Sequence, residues 1–180
     1  MPGWATIALV VGVVLLLAAA VGGAFLGWRA YSRKRLLRLL VKAEAVEAAA
    51  QGLDETLTRL SEGDDEALAE FAKDPESSER RALHEVAMRA TMLADELDRM
   101  ALPRSLVVLA EELGDAAFLV AQEASRISDD DREEGALELL ATIDLKAVRA
   151  YTQKARRSLA EVSESFGLDE TAVYGGGLYL

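Results

Sequence analysis

Apolar and polar residues follow two different patterns along this chain. Between Trp4 and Trp28 stand Ala, Val, Leu, Ile, Gly and Phe with a single Thr, and no residue there is charged. From Leu36 onward, apolar residues recur at helical spacing with charged residues between them, which is typical of helices that bury one face. The pattern therefore predicts an all-α protein in which an apolar segment precedes several amphipathic helices.

The apolar segment has the length of a helix that crosses a membrane. About 20 apolar residues are needed to cross roughly 30 Å of hydrocarbon. Trp4 and Trp28 stand at its two ends, where amphipathic rings prefer the headgroup level. We therefore predict a transmembrane anchor over residues 1–28. A cleaved signal peptide, with Ala18-Ala19-Ala20 near its cleavage point, is the alternative, but signal peptides carry positive charge before the apolar run.

Positive charge follows the apolar segment directly. Residues 29–42 form a basic juxtamembrane segment without any acid, and its bases are Arg29, Arg33, Lys34, Arg35, Arg38 and Lys42. The first five of these bases and the two tryptophans are the predicted contacts with lipid headgroups. Positive charge stays on the cytoplasmic side of a membrane. We therefore expect a single-pass protein of the cell (cytoplasmic) membrane, with its N-terminus outside, its C-terminal domain in the cytoplasm, and anionic inner-leaflet lipid as a partner.

Small residues recur on one side of the predicted anchor. The possible helix-packing ridge consists of Gly12, Ala19, Gly23 and Gly27. Small side chains let two helix backbones approach closely in lipid, so the ridge predicts a homo-oligomer or a membrane-embedded protein partner. The alternative is that Ala and Gly are simply frequent in such segments.

Residues 36–167 predict an antiparallel helical bundle. The first seam consists of apolar pairs seven residues apart, namely Leu36 and Leu39, Ala43 and Val46, Ala50 and Leu53, Leu57 and Leu60. We expect it to continue the anchor helix without a break as far as Gly63. The further predicted helices are a short one over 65–73 and long ones over 74–102, 103–127 and 137–166. Asp74 is the predicted N-cap of the first long helix, followed by Pro75, and Tyr151 lies in the apolar stripe of the last one. The apolar face of 103–127 consists of Leu106, Ala110, Leu113, Ala117, Val120, Ala124 and Ile127. Short connections favour an up-down-up-down four-helix bundle; a parallel coiled coil of two chains is the alternative.

The charge balance of the chain excludes one class of partner. The net charge is −11, and removing the six juxtamembrane bases leaves 14 bases against 31 acids in the remainder, a net charge of −17. Phosphate backbones are bound by Lys and Arg surfaces, so nucleic acid is not an expected partner. The abundance of Ala and Arg suggests a bacterial origin with a GC-rich genome.

No motif for catalysis, cofactor binding or metal binding stands out. The stretch HEVAM resembles the start of a zinc-protease motif, but Met88 replaces the second His, and His84 is the only His in the chain. The glycines at 175–177 lack the Lys and Ser or Thr of a phosphate loop. We therefore expect neither an enzyme, nor a cofactor, nor a small-molecule substrate.

The C-terminal segment, residues 168–180, predicts a flexible apolar tail. Its possible partner-binding residues are Tyr174, Leu178, Tyr179 and Leu180, since partners can capture such segments; an ordinary frayed terminus is the alternative. Together these features predict a membrane-tethered helical interaction module, a scaffold or accessory subunit of a cytoplasmic-membrane complex. The alternatives are a signalling or sensor component that acts through one continuous helix, and an enzyme with an unrecognised site.

Overall fold

The structure is a computed structural model that describes the backbone of residues 3–128, 138 and 140–168. Within the first helix, side chains are described at residue 16 and from residue 19 onward. The five helices bounded in this part of the chain are α1 (Gly3–Glu62), α2 (Asp65–Lys73), α3 (Ser78–Asp98), α4 (Arg104–Ser128) and α5 (Leu145–Ser165). The described residues contain no strand, and the all-α prediction is confirmed.

The first helix joins the apolar segment to the bundle without a break. α1 has 60 residues and is therefore about 90 Å long at the helical rise. Gly52 does not interrupt it. A Cβ atom at Gly52 would lie 3.2 Å from Cγ2 of Val86 in α3, so the missing side chain lets the two helices approach closely. The helix ends one residue before Gly63, as the sequence predicts.

Two clusters of buried apolar side chains show how the helices run. The base cluster combines the first half of the α1 seam with the end of α3, the start of α4 and the end of α5. The tip cluster combines the second half of the seam with α2, the start of α3, the end of α4 and the start of α5. α1 and α4 therefore run from base to tip, and α3 and α5 run back. This is an antiparallel four-helix bundle with the short α2 at its tip.

The predicted apolar stripes match the buried positions well in α4 and less well elsewhere. All seven predicted positions of α4 are buried: Leu106, Ala110, Leu113, Ala117, Val120, Ala124 and Ile127. In α1, Ala49 is buried and Ala50 only partly so, since an α-helix drifts by about 20° per seven residues against a strict heptad. Tyr151, predicted within the stripe of α5, is 44% exposed and does not belong to the core.

The start of α3 differs from its prediction. Asp74 is not the N-cap of α3; it follows the last residue of α2, and α3 begins after Ser77. The carboxylate of Asp74 accepts a hydrogen bond of 2.8 Å from the backbone amide of Glu76. Asp favours such local turns as readily as helix caps, so the Asp-Pro pair marks a turn between the two helices.

The last helix is also shorter than predicted. It was expected from Leu137, which lies outside the described residues, but α5 begins at Leu145. The carboxylate of Asp144 accepts a hydrogen bond of 2.8 Å from the amide of Ala147, which is the action of an N-cap. Leu140 still packs against the tip cluster. Apolar spacing continues across the break, so periodicity alone predicts one helix.

A buried arginine fixes α2 against α3. Arg80 is 2% exposed, and its Nε and Nη2 atoms donate to the carbonyl oxygens of Phe71 at 2.9 Å and Ala72 at 3.3 Å. Its guanidinium also lies 5.2 Å from the ring centroid of Phe71. Carbonyl groups at the end of a helix carry partial negative charge, so the end of α2 contributes to stabilising the buried cation.

Two neighbouring residues of α4 provide a matched test of the core. Leu109 is 2% exposed and Val108 is 62% exposed. We expect Leu109→Ala to lower the free energy of unfolding by about 2–5 kcal/mol, and Val108→Ala to change it by less than about 0.5 kcal/mol. Urea titrations of the two variants measure both effects. Equal losses would show that α4 is rotated from its described position.

Arg80 and Arg81 provide a second matched pair. Arg80→Met leaves two carbonyl groups of α2 without these donors, at a cost of about 1–3 kcal/mol. The Nε atom of Arg81 donates to the Glu76 carbonyl at 3.0 Å in an exposed hydrogen bond. In Arg81→Met, water can donate to this carbonyl instead. Hydrogen exchange should therefore accelerate at the α2 amides in Arg80→Met and remain unchanged in Arg81→Met. Unchanged exchange in both variants would contradict the role of Arg80.

Candidate functional site

α1 projects beyond the bundle at its base. The first buried side chain along α1, among those described, is Ser32; residue 16 and residues 19–31 are all exposed. Large apolar side chains are among them: Leu16, Val21, Phe25, Leu26 and Trp28, of which Leu16 is 73% exposed. No other described element of the chain covers these side chains. The projecting part of α1 therefore exposes an apolar surface that the rest of the described bundle does not cover.

The transmembrane prediction is not supported by the described residues. Among them, no helix is long and apolar enough to cross a membrane. The structure does not describe the side chains of residues 1–15, 17 and 18, which form part of the predicted anchor. Trp4 and Gly12 are among those residues. The anchor over residues 1–28 therefore stays a prediction.

The predicted headgroup bases lie on α1 where it enters the bundle. Of the basic collar, defined as the six bases of residues 29–42, four are exposed: Arg29, Arg33, Lys34 and Arg38. Arg35 is half-buried, donates from Nε to the hydroxyl of Tyr31 at 3.2 Å and stacks 5.2 Å from its ring centroid. Lys42 forms an ion pair with Glu96 of α3. The collar thus contains exposed cations beside cations that already have partners.

A groove between α1 and α3 lies beside the collar. This basal groove has a volume of about 620 Å³ and is lined by Lys34, Arg35, Leu37, Arg38, Val41, Lys42, Glu96 and Met100. Val41 is 53% exposed, and Leu37 and Met100 pack partly on the base cluster. The groove therefore combines an apolar floor with a cationic rim. The sequence did not predict that Leu37, Val41 and Met100 line one groove. Val41 was the available signal, because it is an apolar residue outside the predicted seam of α1.

The predicted packing ridge lies on the exposed projection. Ala19, Gly23 and Gly27 are exposed, and a Cβ atom added at Gly23 or Gly27 would meet no atom within 4 Å. Within the described part of one chain, nothing packs on these positions. The ridge is accessible to a second helix, and whether one binds there stays a prediction.

The predicted tail lies outside the described residues. This applies to Tyr174, Leu178, Tyr179 and Leu180, which fall within residues 169–180. The last described residue, Leu168, is 8% exposed and belongs to the base cluster. The chain therefore reaches residue 168 at the end of the bundle where α1 enters.

The described residues contain no metal-binding group. No group of three or more His, Asp or Glu side chains within the described ranges is placed to hold a metal ion. His84 is exposed, and the neighbouring Glu85 pairs with Arg89 at 3.2 Å. Glu112, with one oxygen 3.3 Å from Lys154, faces a neighbouring helix rather than a cavity with other acids.

Comparison with known proteins provides no further guide. No protein-family model, no curated protein and no solved structure matches the chain. Function is therefore inferred from the projecting apolar helix, the basic collar and the basal groove, which occupy the same end of the bundle.

The open surface at Gly23 leads to a prediction about self-association. Because a methyl group added at this position would meet no atom within 4 Å, Gly23→Ile should leave the stability of the bundle unchanged. The β-branched side chain should nevertheless weaken any dimer that packs through Gly23 and Gly27. A membrane two-hybrid assay measures the association. Unchanged association would show that the small residues reflect composition only.

Proposed function

We propose that the protein is a membrane-tethered helical interaction module, a scaffold or accessory subunit of a cytoplasmic-membrane complex. The observation that carries the proposal is the continuity of α1. One helix bears the exposed apolar side chains of the projection, the basic collar and the first seam of the bundle. An apolar surface and a folded domain are thereby connected without a flexible joint.

The exposed apolar side chains favour a partner that removes them from water. Burying one Val, Leu or Phe side chain is worth about 1.5–3 kcal/mol, and Val21, Phe25 and Leu26 are all more than half exposed. A lipid bilayer satisfies this requirement over the whole circumference of a helix. The basic collar follows the projection along α1, and its positive charge is attracted to the anionic lipids of the inner leaflet. Positive charge after a membrane segment also favours a bundle on the cytoplasmic side.

The surface of the bundle supports a role in protein interaction. Exposed large apolar residues occur on both α3 and α4: Met88, Met92, Val108 and Phe118. These residues lie on the surface of an acidic bundle. Its described part contains no cluster of side chains that could bind a metal ion. Fold alone does not determine function, and the proposal therefore rests on these surfaces. A second candidate is a signalling component, favoured by the unbroken course of α1 from the projection into the core.

The membrane attachment is tested by two double variants of the full chain. Leu16→Lys/Val21→Lys places two charges on the projection. Leu16 is midway between Trp4 and Trp28, and a Lys near the centre of a membrane helix costs about 2.5–3.5 kcal/mol. We expect this variant to leave the membrane fraction of bacterial cells. Val108→Lys/Phe118→Lys places two charges on α4, where the side chains are similarly exposed, and this variant should remain in that fraction.

Extraction with carbonate separates integral attachment from surface binding, and protease protection tests the orientation. The chain should resist carbonate, and protease added to intact spheroplasts should spare the bundle. Release of the unmodified chain by carbonate would contradict the anchor. Digestion of the bundle without lysis would contradict its cytoplasmic location.

A further inference from the structure

The basal groove contains two cations that no other described group neutralises. Lys34 and Arg38 are exposed, and neither makes an ion pair or a hydrogen bond within the part of the chain that the structure describes. Arg35 already bonds to Tyr31, and Lys42 already pairs with Glu96. The groove is thus lined by four bases, of which two are available to an anion.

The direction of α1 points these two cations toward the proposed membrane. Side chains of an α-helix lean toward its N-terminus, and the N-terminus of α1 lies on the side of the projection. Lys34 follows Trp28 by six residues, about 9 Å along the helix. Lys34 and Arg38 are four residues apart and therefore lie on one face. The two side chains, one helical turn apart, can therefore contact the same anionic group.

The apolar floor strengthens binding of an anion at this place. Leu37, Val41 and Met100 line the groove beside the two cations. Apolar surface excludes water and lowers the local dielectric constant, so the attraction between opposite charges increases. Arg29 and Arg33 do not line the groove, so its apolar floor does not strengthen their attraction to an anion.

We propose that the basal groove binds the headgroup of one anionic phospholipid, with Lys34 and Arg38 holding its phosphate. The inference rests on the proposed membrane attachment and goes beyond it, because it assigns one binding position within the collar. Charge complementarity favours this ligand: the remainder of the chain is strongly acidic, so anions are attracted to this end of the bundle and repelled elsewhere.

The groove is tested with the full chain in nanodiscs of phosphatidylcholine containing phosphatidylglycerol. Native mass spectrometry counts the lipids that stay bound after release from the disc. We expect one phosphatidylglycerol to be retained. Near a membrane surface each basic charge contributes about a fivefold change in binding, so Lys34→Gln/Arg38→Gln should lower the ratio of lipid-bound to free chain by about 25-fold.

The matched control is Arg29→Gln/Arg33→Gln, which removes the same charge outside the groove. It should change the ratio less than Lys34→Gln/Arg38→Gln does, because neither Arg29 nor Arg33 lines the groove. Equal losses in both double variants would overturn the inference in favour of general attraction to the collar. Retention that does not depend on Lys34 and Arg38 would also overturn it.

Two further arms distinguish the groove from the membrane attachment and the lipid from free phosphate. Incorporation into discs of phosphatidylcholine alone tests the attachment, and a chain that does not enter them contradicts the proposed function. A chain that enters them but retains no phosphatidylglycerol from the mixed discs contradicts only the groove. Millimolar inorganic phosphate is added as a competitor. If it displaces the lipid, free phosphate is the ligand and the assignment to a lipid is wrong. Circular dichroism verifies that the variants, all at exposed positions, remain helical.

Discussion

The apolar core shared by α1, α3, α4 and α5 is the constraint on which the rest of the structure depends. Buried side chains from Leu36 to Leu60 contribute to both core clusters, so α1 lines the core along the whole length of the bundle. The same helix continues beyond the core without a break. The projection is therefore joined to the core by helical backbone without a flexible joint.

Ion pairs between helices supplement this apolar contact on the side of α5. Arg149 lies 2.6 Å from Asp54, and Arg156 lies 3.7 Å from Glu47; both pairs join α5 to α1. These side chains are partly exposed, where an ion pair contributes about 0–1 kcal/mol. α5 buries few side chains of its own, of which two are Ala155 and Ser163. Most of the stability of α5 therefore comes from the shared core, to which it also contributes Val148 and Leu159.

The candidate site could be predicted in part. Charge and hydropathy indicated the collar and the projection, because both are runs of similar residues. The groove was not predicted, because Val41 and Met100 lie far apart in sequence and meet only when α3 returns along α1. The ion pair between Lys42 and Glu96 was hidden for the same reason, and it decides which cations of the collar remain available.

The sequence by itself determined the all-α class, the unbroken course of α1 and most of the buried positions of α4. These follow from local properties: helical periodicity, the absence of Pro within α1, and the spacing of apolar residues. Only the tertiary structure decided that the seam of α1 is covered by helices of its own chain, since an apolar seam packs equally well against a second chain. It also decided the break at Asp144 and the turn at Asp74, because one carboxylate can cap a helix or close a turn, and the surrounding packing selects between them.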